Sequence, residues 1–383
     1  MPSKVYSAAL DGIDATTITI EVDVLAGLPS YTVVGLGDTA VKESKERLTA
    51  ALTNLGYTPP RRKTIVSLAP ASVKKEGSLY DVPIALGFLV ASDQIQLSEG
   101  RLEKAWLVGE LGLDGTIRGV RGVLPIALAA ARQGVTELYV PAANADEAQA
   151  VADQLNVFPV ASLQELVSQL LNESASSVTA LPPLDETRSE FSEPEIDFSD
   201  IKGQEHAKRA LLIAAAAGHN VLLVGSPGTG KTLLARALAG ILPPLTHAES
   251  QVVTSLYSVA GELSAGHGLV QSRPVRAPHH GASSVALIGG GTHPKPGEVS
   301  WTHTGVLFLD ELPEFPRHTL DQLRQPIEDG VVTISRSSTT VRFPARSILV
   351  GAMNPCVCGW VGSERRQCQC LPADVFRYQR RVS

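Results

Sequence analysis

The chain has 383 residues, enough for two or three domains that each bury a core, and 44% of them are hydrophobic and 19% charged. No apolar run approaches the roughly 18 residues a membrane span needs, and residues 1–14 lack the basic-then-apolar layout of a secretory signal. A cytoplasmic protein without a membrane partner is expected. The formal net charge of −6 is unevenly spread: residues 141–200 are rich in carboxylates against a single Arg188, whereas 342–383 is basic. Any argument about charged partners is therefore local.

Over residues 1–172, β-type runs at 17–24, 64–68, 105–109 and 137–140 alternate with helix-like runs at 42–54, 81–92, 123–132 and 145–155. This pattern predicts an α+β or α/β domain rather than a bundle. Residues 173–197, rich in Ser, Pro and acid with no sustained apolar period, read as a linker. From 198 to 383 the order is βαβ: a helix over 204–217, a buried strand over 220–224 and a helix over 231–241. Further buried strands follow at 306–309 and 347–353, with a hairpin over 331–343 that turns near Ser337 and Ser338.

Gly225, Ser226, Pro227, Gly228, Thr229, Gly230, Lys231 and Thr232 match G-x-x-x-x-G-K-[ST] in full, after an apolar strand and before a helix. Glycines let backbone N–H groups wrap phosphates, and the helix N-terminus adds its dipole. Lys231 is expected to reach the β/γ-phosphates of ATP, and the Thr232 hydroxyl to ligate Mg2+. The apolar run 306–309 ends in Asp310 and Glu311. Such a pair is weak alone and strong downstream of a phosphate loop. Asp310 is expected to hold the magnesium through water and Glu311 to polarise the attacking water. The run 347–353 ends in Asn354, placed to help orient that water. Asn354-Pro355 is also a good turn pair, but the two preceding motifs favour the catalytic reading.

All four cysteines, Cys356, Cys358, Cys368 and Cys370, fall in a C-x-C-x9-C-x-C pattern, and all nine histidines lie beyond residue 205. Four thiolates in one short segment suit a tetrahedral zinc site, although C-x-C is tighter than the usual spacer. Reduced thiols in a surface loop are the alternative. His267, His279, His280, His293 and His303 read as polar loop residues.

The three nucleotide-site elements, in this order, resemble the AAA+ superfamily. Finer phrases resemble the magnesium-chelatase-like ATPases of the YifB/ComM family: Asp200-Ile-Lys-Gly-Gln204, Arg276-Ala-Pro-His-His280, Leu287-Ile-Gly-Gly-Gly291, Pro296-Gly-Glu298, Leu323 to Gly330, and Asn354-Pro-Cys-x-Cys-Gly359. In the first domain, Lys75-Glu-Gly77 and the stretch from Gly109 to Arg118 resemble the proteolytic domain of Lon, a Ser/Lys protease. Ser78 aligns with its nucleophile after a one-residue shift, but no lysine stands between Lys104 and Lys202. A serine without its base is a poor nucleophile.

The resemblance implies an α/β protein in which a Lon-protease-like (ribosomal S5 domain 2-like) α+β domain precedes a P-loop AAA+ αβα domain. It implies an ATPase using ATP and Mg2+, working as a homo-oligomer, a hexameric ring, on DNA, as a helicase or branch-migration factor in natural transformation or recombination. A magnesium-chelatase-type motor subunit and a nucleotide-dependent scaffold are the rivals. Family hairpins look like pore elements, which makes Arg336 and Arg342 candidate DNA contacts, with Arg273, Arg276, Arg365 and Arg366 behind them. In this branch an arginine finger and a helical lid normally follow the Asn354 strand. Neither is found by residue 383, so the chain is expected to be a fragment that binds ATP weakly and hydrolyses it hardly at all.

Overall fold

The computed structural model describes residues 2–171, 180–182, 196–263, 268–291, 294–336, 339–364 and 366–382. Most of the acidic linker, the hairpin tip at Ser337 and Ser338, and His267, His293 and Arg365 lie outside the described residues. The chain divides into two units, Met1–Thr187 with Tyr257–Leu269, and Arg188–Leu256 with Val270–Ser383.

The first unit is built on a seven-stranded mixed sheet. Its centre is the antiparallel pair Ser3–Asp11 and Asp14–Leu25, in register from Ser3 opposite Val22 to Asp11 opposite Asp14. Alternation in Asp14–Leu25 turns Ile18, Ile20 and Val22 inward, as a period of two requires. Each such buried side chain contributes about 1.5–3 kcal/mol. On one flank lie Lys63–Ala69 and Ser30–Val34, on the other Ala105–Leu107, Glu137–Pro141 and Asn156–Val160.

Helix Asp81–Ala91 is buried nearly all round, and its Asp81 carboxylate takes two hydrogen bonds from Arg47, at 2.6 and 2.9 Å. The predicted helix 42–54 is divided at Glu43 into Thr39–Lys42 and Ser44–Asn54. The predicted helix 145–155 is helical only over Ala145–Ala148 and tightens into a 3-10 turn over Gln149–Val151. There Ala152 N–H bonds back to the Gln149 carbonyl at 3.0 Å. Three-residue closure thus replaces the α-ladder.

In the second unit four parallel strands stand in the order Val221–Val224, Ile348–Met353, Val306–Leu309, Val275–Arg276. Helix Lys231–Gly240 buries Leu234, Ala235, Ala237 and Leu238, one face at 3.6-residue spacing, against Val306, Phe308, Val350 and Ala352. The strand 220–224 was expected to be buried. It is an edge strand covered on one face: Val221 and Leu223 pack against the core, while Leu222 is 47% and Val224 55% exposed. A short apolar run does not reveal whether one face or both are covered. The second unit also holds helices Glu205–Ala217, Arg317–Asp329 and Pro372–Gln379 and the hairpin Val331–Arg336 with Thr339–Pro344.

Candidate active site

Three parallel strands deliver the sequence motifs to one edge. Ile348–Met353 runs between the other two, with Val224 opposite Met353 on one side and Leu309 opposite Gly351 on the other. Parallel strands end together. The glycine-rich loop, the acidic pair and Asn354 therefore emerge at the same carboxyl edge, where ligands bind in sheets of this kind.

The loop turns into its helix through Gly228 and Gly230, at φ +75° and +84°, a region that penalises any Cβ. Among the described residues no side chain caps the helix that begins at Lys231, which leaves its first N–H groups as donors. Lys231 Nζ donates to the carbonyls of Gly225 at 2.7 Å and Ser226 at 3.1 Å, and to Asn354 Oδ1 at 3.1 Å. Desolvation lowers the Lys231 pKa, and the charge of Asp310 opposes the shift. Thr232 Oγ1 donates to Asp310 Oδ2 at 3.0 Å. The opposite oxygen of Asp310 accepts the Glu311 N–H at 2.9 Å.

Glu311 adopts φ 50° and ψ 45°. This left-handed conformation costs a non-glycine residue about 1–3 kcal/mol and concentrates at functional sites. Its carboxylate is 57% exposed and lies 3.2 Å from His280 Nδ1. Two further contributors were not legible as such. His280, read as a loop residue, faces Glu311. Gln204, part of a family phrase, donates to the Thr229 carbonyl at 3.1 Å. Nothing in local spacing reports either contact.

The four cysteines converge: their sulfurs all lie within 4.8 Å of one another, and none is in a disulfide. Cys356 Sγ is 3.4 Å from Cys358 and 3.7 Å from Cys368, and Cys358 is 3.5 Å from Cys368. With Zn–S bonds of about 2.3 Å a tetrahedron has edges of roughly 3.8 Å, so the donor set fits. Backbone N–H groups of Gln369 and Trp360 draw the Cys358 thiol down to about 6.

The arginine candidates separate. Arg342 is exposed on the hairpin, opposite Thr333. Arg336 pairs through its backbone with Thr339, and its side chain lies outside the described part. Arg273 is committed to the Pro243 and Thr304 carbonyls, each at 2.5 Å, and to Glu249. Arg276 grips Glu298 at 2.8 and 3.1 Å and stacks over Trp301, while Arg366 lies over Trp360. His303, expected as a polar loop residue, is buried and accepts the Arg346 N–H on Nδ1 at 3.1 Å.

A parallel sheet carrying these motifs at its carboxyl edge defines an AAA+-type architecture. Comparison with known proteins agrees: the family described as magnesium chelatase, subunit ChlI, matches residues 197–383, and that described as subunit ChlI of Mg-chelatase matches 20–144. The competence protein ComM of Haemophilus influenzae is 46% identical over 99% of this chain and 73% of its own length. YifB of Escherichia coli, named as uncharacterised, is 42% identical over 100% of this chain and 73% of its own. The magnesium-chelatase 38 kDa subunit of Rhodobacter capsulatus is 32% identical over 42% of this chain and 51% of its own. The chain belongs to the ComM/YifB family of magnesium-chelatase-like proteins. The ChlI family comprises AAA+ ATPases that use ATP and Mg2+. Among the described residues no helix is long and apolar enough to cross a membrane.

Proposed function

We propose that this chain is the ATP-binding and ATP-hydrolysing part of a ring-forming cytoplasmic motor that acts on DNA. The observation that carries the reading is one hydrogen-bonded constellation: Lys231 on Asn354 and Thr232 on Asp310, with Glu311 following Asp310. In this reading the loop 225–232 receives the triphosphate on backbone N–H groups, and Lys231 leaves its carbonyl partners for the β/γ-phosphates. Magnesium, when bound by Thr232 and Asp310, neutralises charge on those phosphates. Glu311 takes a proton from the water whose oxygen attacks the γ-phosphorus, Asn354 orients that water, and the bond to the ADP oxygen breaks.

Residues 1–172 are read as a Lon-like domain without protease activity, 173–197 as the linker and 198–383 as the AAA+ domain. Ser78 supports the first assignment, because its hydroxyl donates to Glu110 rather than to a lysine. Lys75 is buried and its ammonium donates to the Pro70 carbonyl. The four cysteines are read as a zinc site, and the exposed Arg342, with Arg336, as DNA contacts.

The similarity to ComM, a competence protein by name, favours DNA over a chelatase substrate, since the 38 kDa chelatase subunit matches only 42% of the chain. ATP turnover of a chain extended to the length of the ComM relative, measured alone, with single-stranded DNA and with forked DNA, decides between them. Stimulation by DNA is expected, and indifference to it favours the chelatase-type motor or a scaffold.

A further inference from the structure

We propose that the four-cysteine loop is a metal-held strut for the glycine-rich loop, so that a thiophilic divalent cation and the nucleotide bind cooperatively. The inference rests on the zinc and nucleotide readings above and concerns what joins them. Asn354, bonded to Lys231, is followed after one residue by Cys356, whose side chain is wholly buried. One residue past Cys358, the backbone of Gly359 approaches Pro227 in the middle of the glycine-rich loop. A Cβ on Gly359 would stand 2.7 Å from Pro227 Cδ and 2.9 Å from its Cγ. Gly359 also has φ +83° and turns by a 2.9 Å hydrogen bond to the Cys356 carbonyl. The left-handed turn that sets the spacing between Cys358 and the rest is thus the surface on which Pro227 rests.

Between Met353 and Pro372 no helix or strand is formed by the described residues. Gln379 Nε2 ties the Pro355 carbonyl at 3.1 Å from the following helix. A loop without a ladder owes its shape to cross-links, and a metal that closes it removes the entropy of the open forms. Within the glycine-rich loop the internal ties are the Thr229 hydroxyl on the Ser226 carbonyl at 2.9 Å and the Lys231 ammonium, which must leave when phosphate arrives. The contact of Pro227 with Gly359 persists, beside the Thr229 bond to Ser226 and the Gln204 bond to the Thr229 carbonyl, and it is the one that leads to the cysteines. Metal binding fixes Gly359 and Asn354 together and thereby holds the glycine-rich loop in the form that receives phosphates. By linkage, nucleotide binding must tighten the metal by the same factor.

The test uses the purified chain in Mg2+ buffer, loaded with Zn2+ or stripped by a chelator selective for zinc over magnesium. Circular dichroism establishes that both forms are folded. Elemental analysis gives the zinc stoichiometry, and titration with a fluorescent ATP analogue gives Kd. One zinc per chain is expected, with Kd rising at least about fivefold on stripping and recovering when Zn2+ is returned. Saturating analogue should slow zinc loss correspondingly. Gly359→Ala, which keeps all four thiols, should retain zinc yet bind the analogue more weakly, and Pro227→Ala should shrink the zinc dependence of Kd. Equal Kd values for folded loaded and stripped chains would overturn the coupling while leaving both underlying readings in place. A chain without zinc would overturn it at the metal, and a zinc-loaded chain that binds no analogue would overturn the nucleotide reading beneath it.

Discussion

Lys231 and Asn354, 123 residues apart in sequence, meet at 3.1 Å where the ammonium donates to the carboxamide oxygen. The bond joins the glycine-rich loop to the end of the central parallel strand, so the lysine is parked beside the residue assigned to orient water. In a chain extended to the length of the ComM relative, of which this chain covers 73%, Asn354→Ala should lower ATP turnover by about 10²–10⁴, with a smaller effect on nucleotide affinity. Phosphate release together with analogue titration measures the two separately. An unchanged turnover would reduce Asn354 to a strand-end turn.

Lys231 and Glu311 should fail differently. Lys231→Ala removes the phosphate contact, and nucleotide binding is expected to be lost. Glu311→Gln keeps the loop and is expected to hold ATP, and in the extended chain its turnover falls about 10²–10⁴. Equal loss of binding in both variants would contradict the division of roles.

Arg342 is exposed beside the strand that carries Arg336. Arg342→Ala should weaken DNA binding regardless of sequence and reduce the slope of log K against log salt by about 1, the signature of one lost phosphate contact. A slope equal to that of the parent chain would remove Arg342 from the interface.

His303 supplies a pH-dependent stability. Burial, then the charge of Arg346, lowers its pKa from the ordinary 6.5 to about 4. The folded form therefore stays neutral where the unfolded chain takes up a proton. Stability from this residue is intact above pH 6.5 and is lost as pH falls toward 4, by roughly 3 kcal/mol in total. Denaturant melts at pH 7 and 4.5 should show the loss in the parent chain and a shallower one in His303→Gln. Identical pH dependence in the two would place the acid sensitivity elsewhere.

Chemistry that is contiguous was readable from residues alone. Eight consecutive residues specify the glycine-rich turn, because Gly228 and Gly230 must take φ values that other residues resist and the helix starts immediately after. Strand Val306–Leu309 and helix Val123–Arg132 have the bounds that their apolar patterns give, since both are covered by core on the faces those patterns mark. Where coverage depends on distant elements the pattern misleads. Leu222 and Val224 look buried and are not, and the apolar spacing over 145–155 passes for a longer helix than forms.

Local sequence thus determined which residues turn and which strands end in carboxylates, because each depends on backbone conformation over a few residues. Tertiary structure decided which of them meet. His280 on Glu311, Gln204 on the Thr229 carbonyl and Gly359 against Pro227 join segments separated by 31, 25 and 132 positions, as their numbers show. Such contacts are set by strand order and by packing against the parallel sheet, which no local propensity encodes.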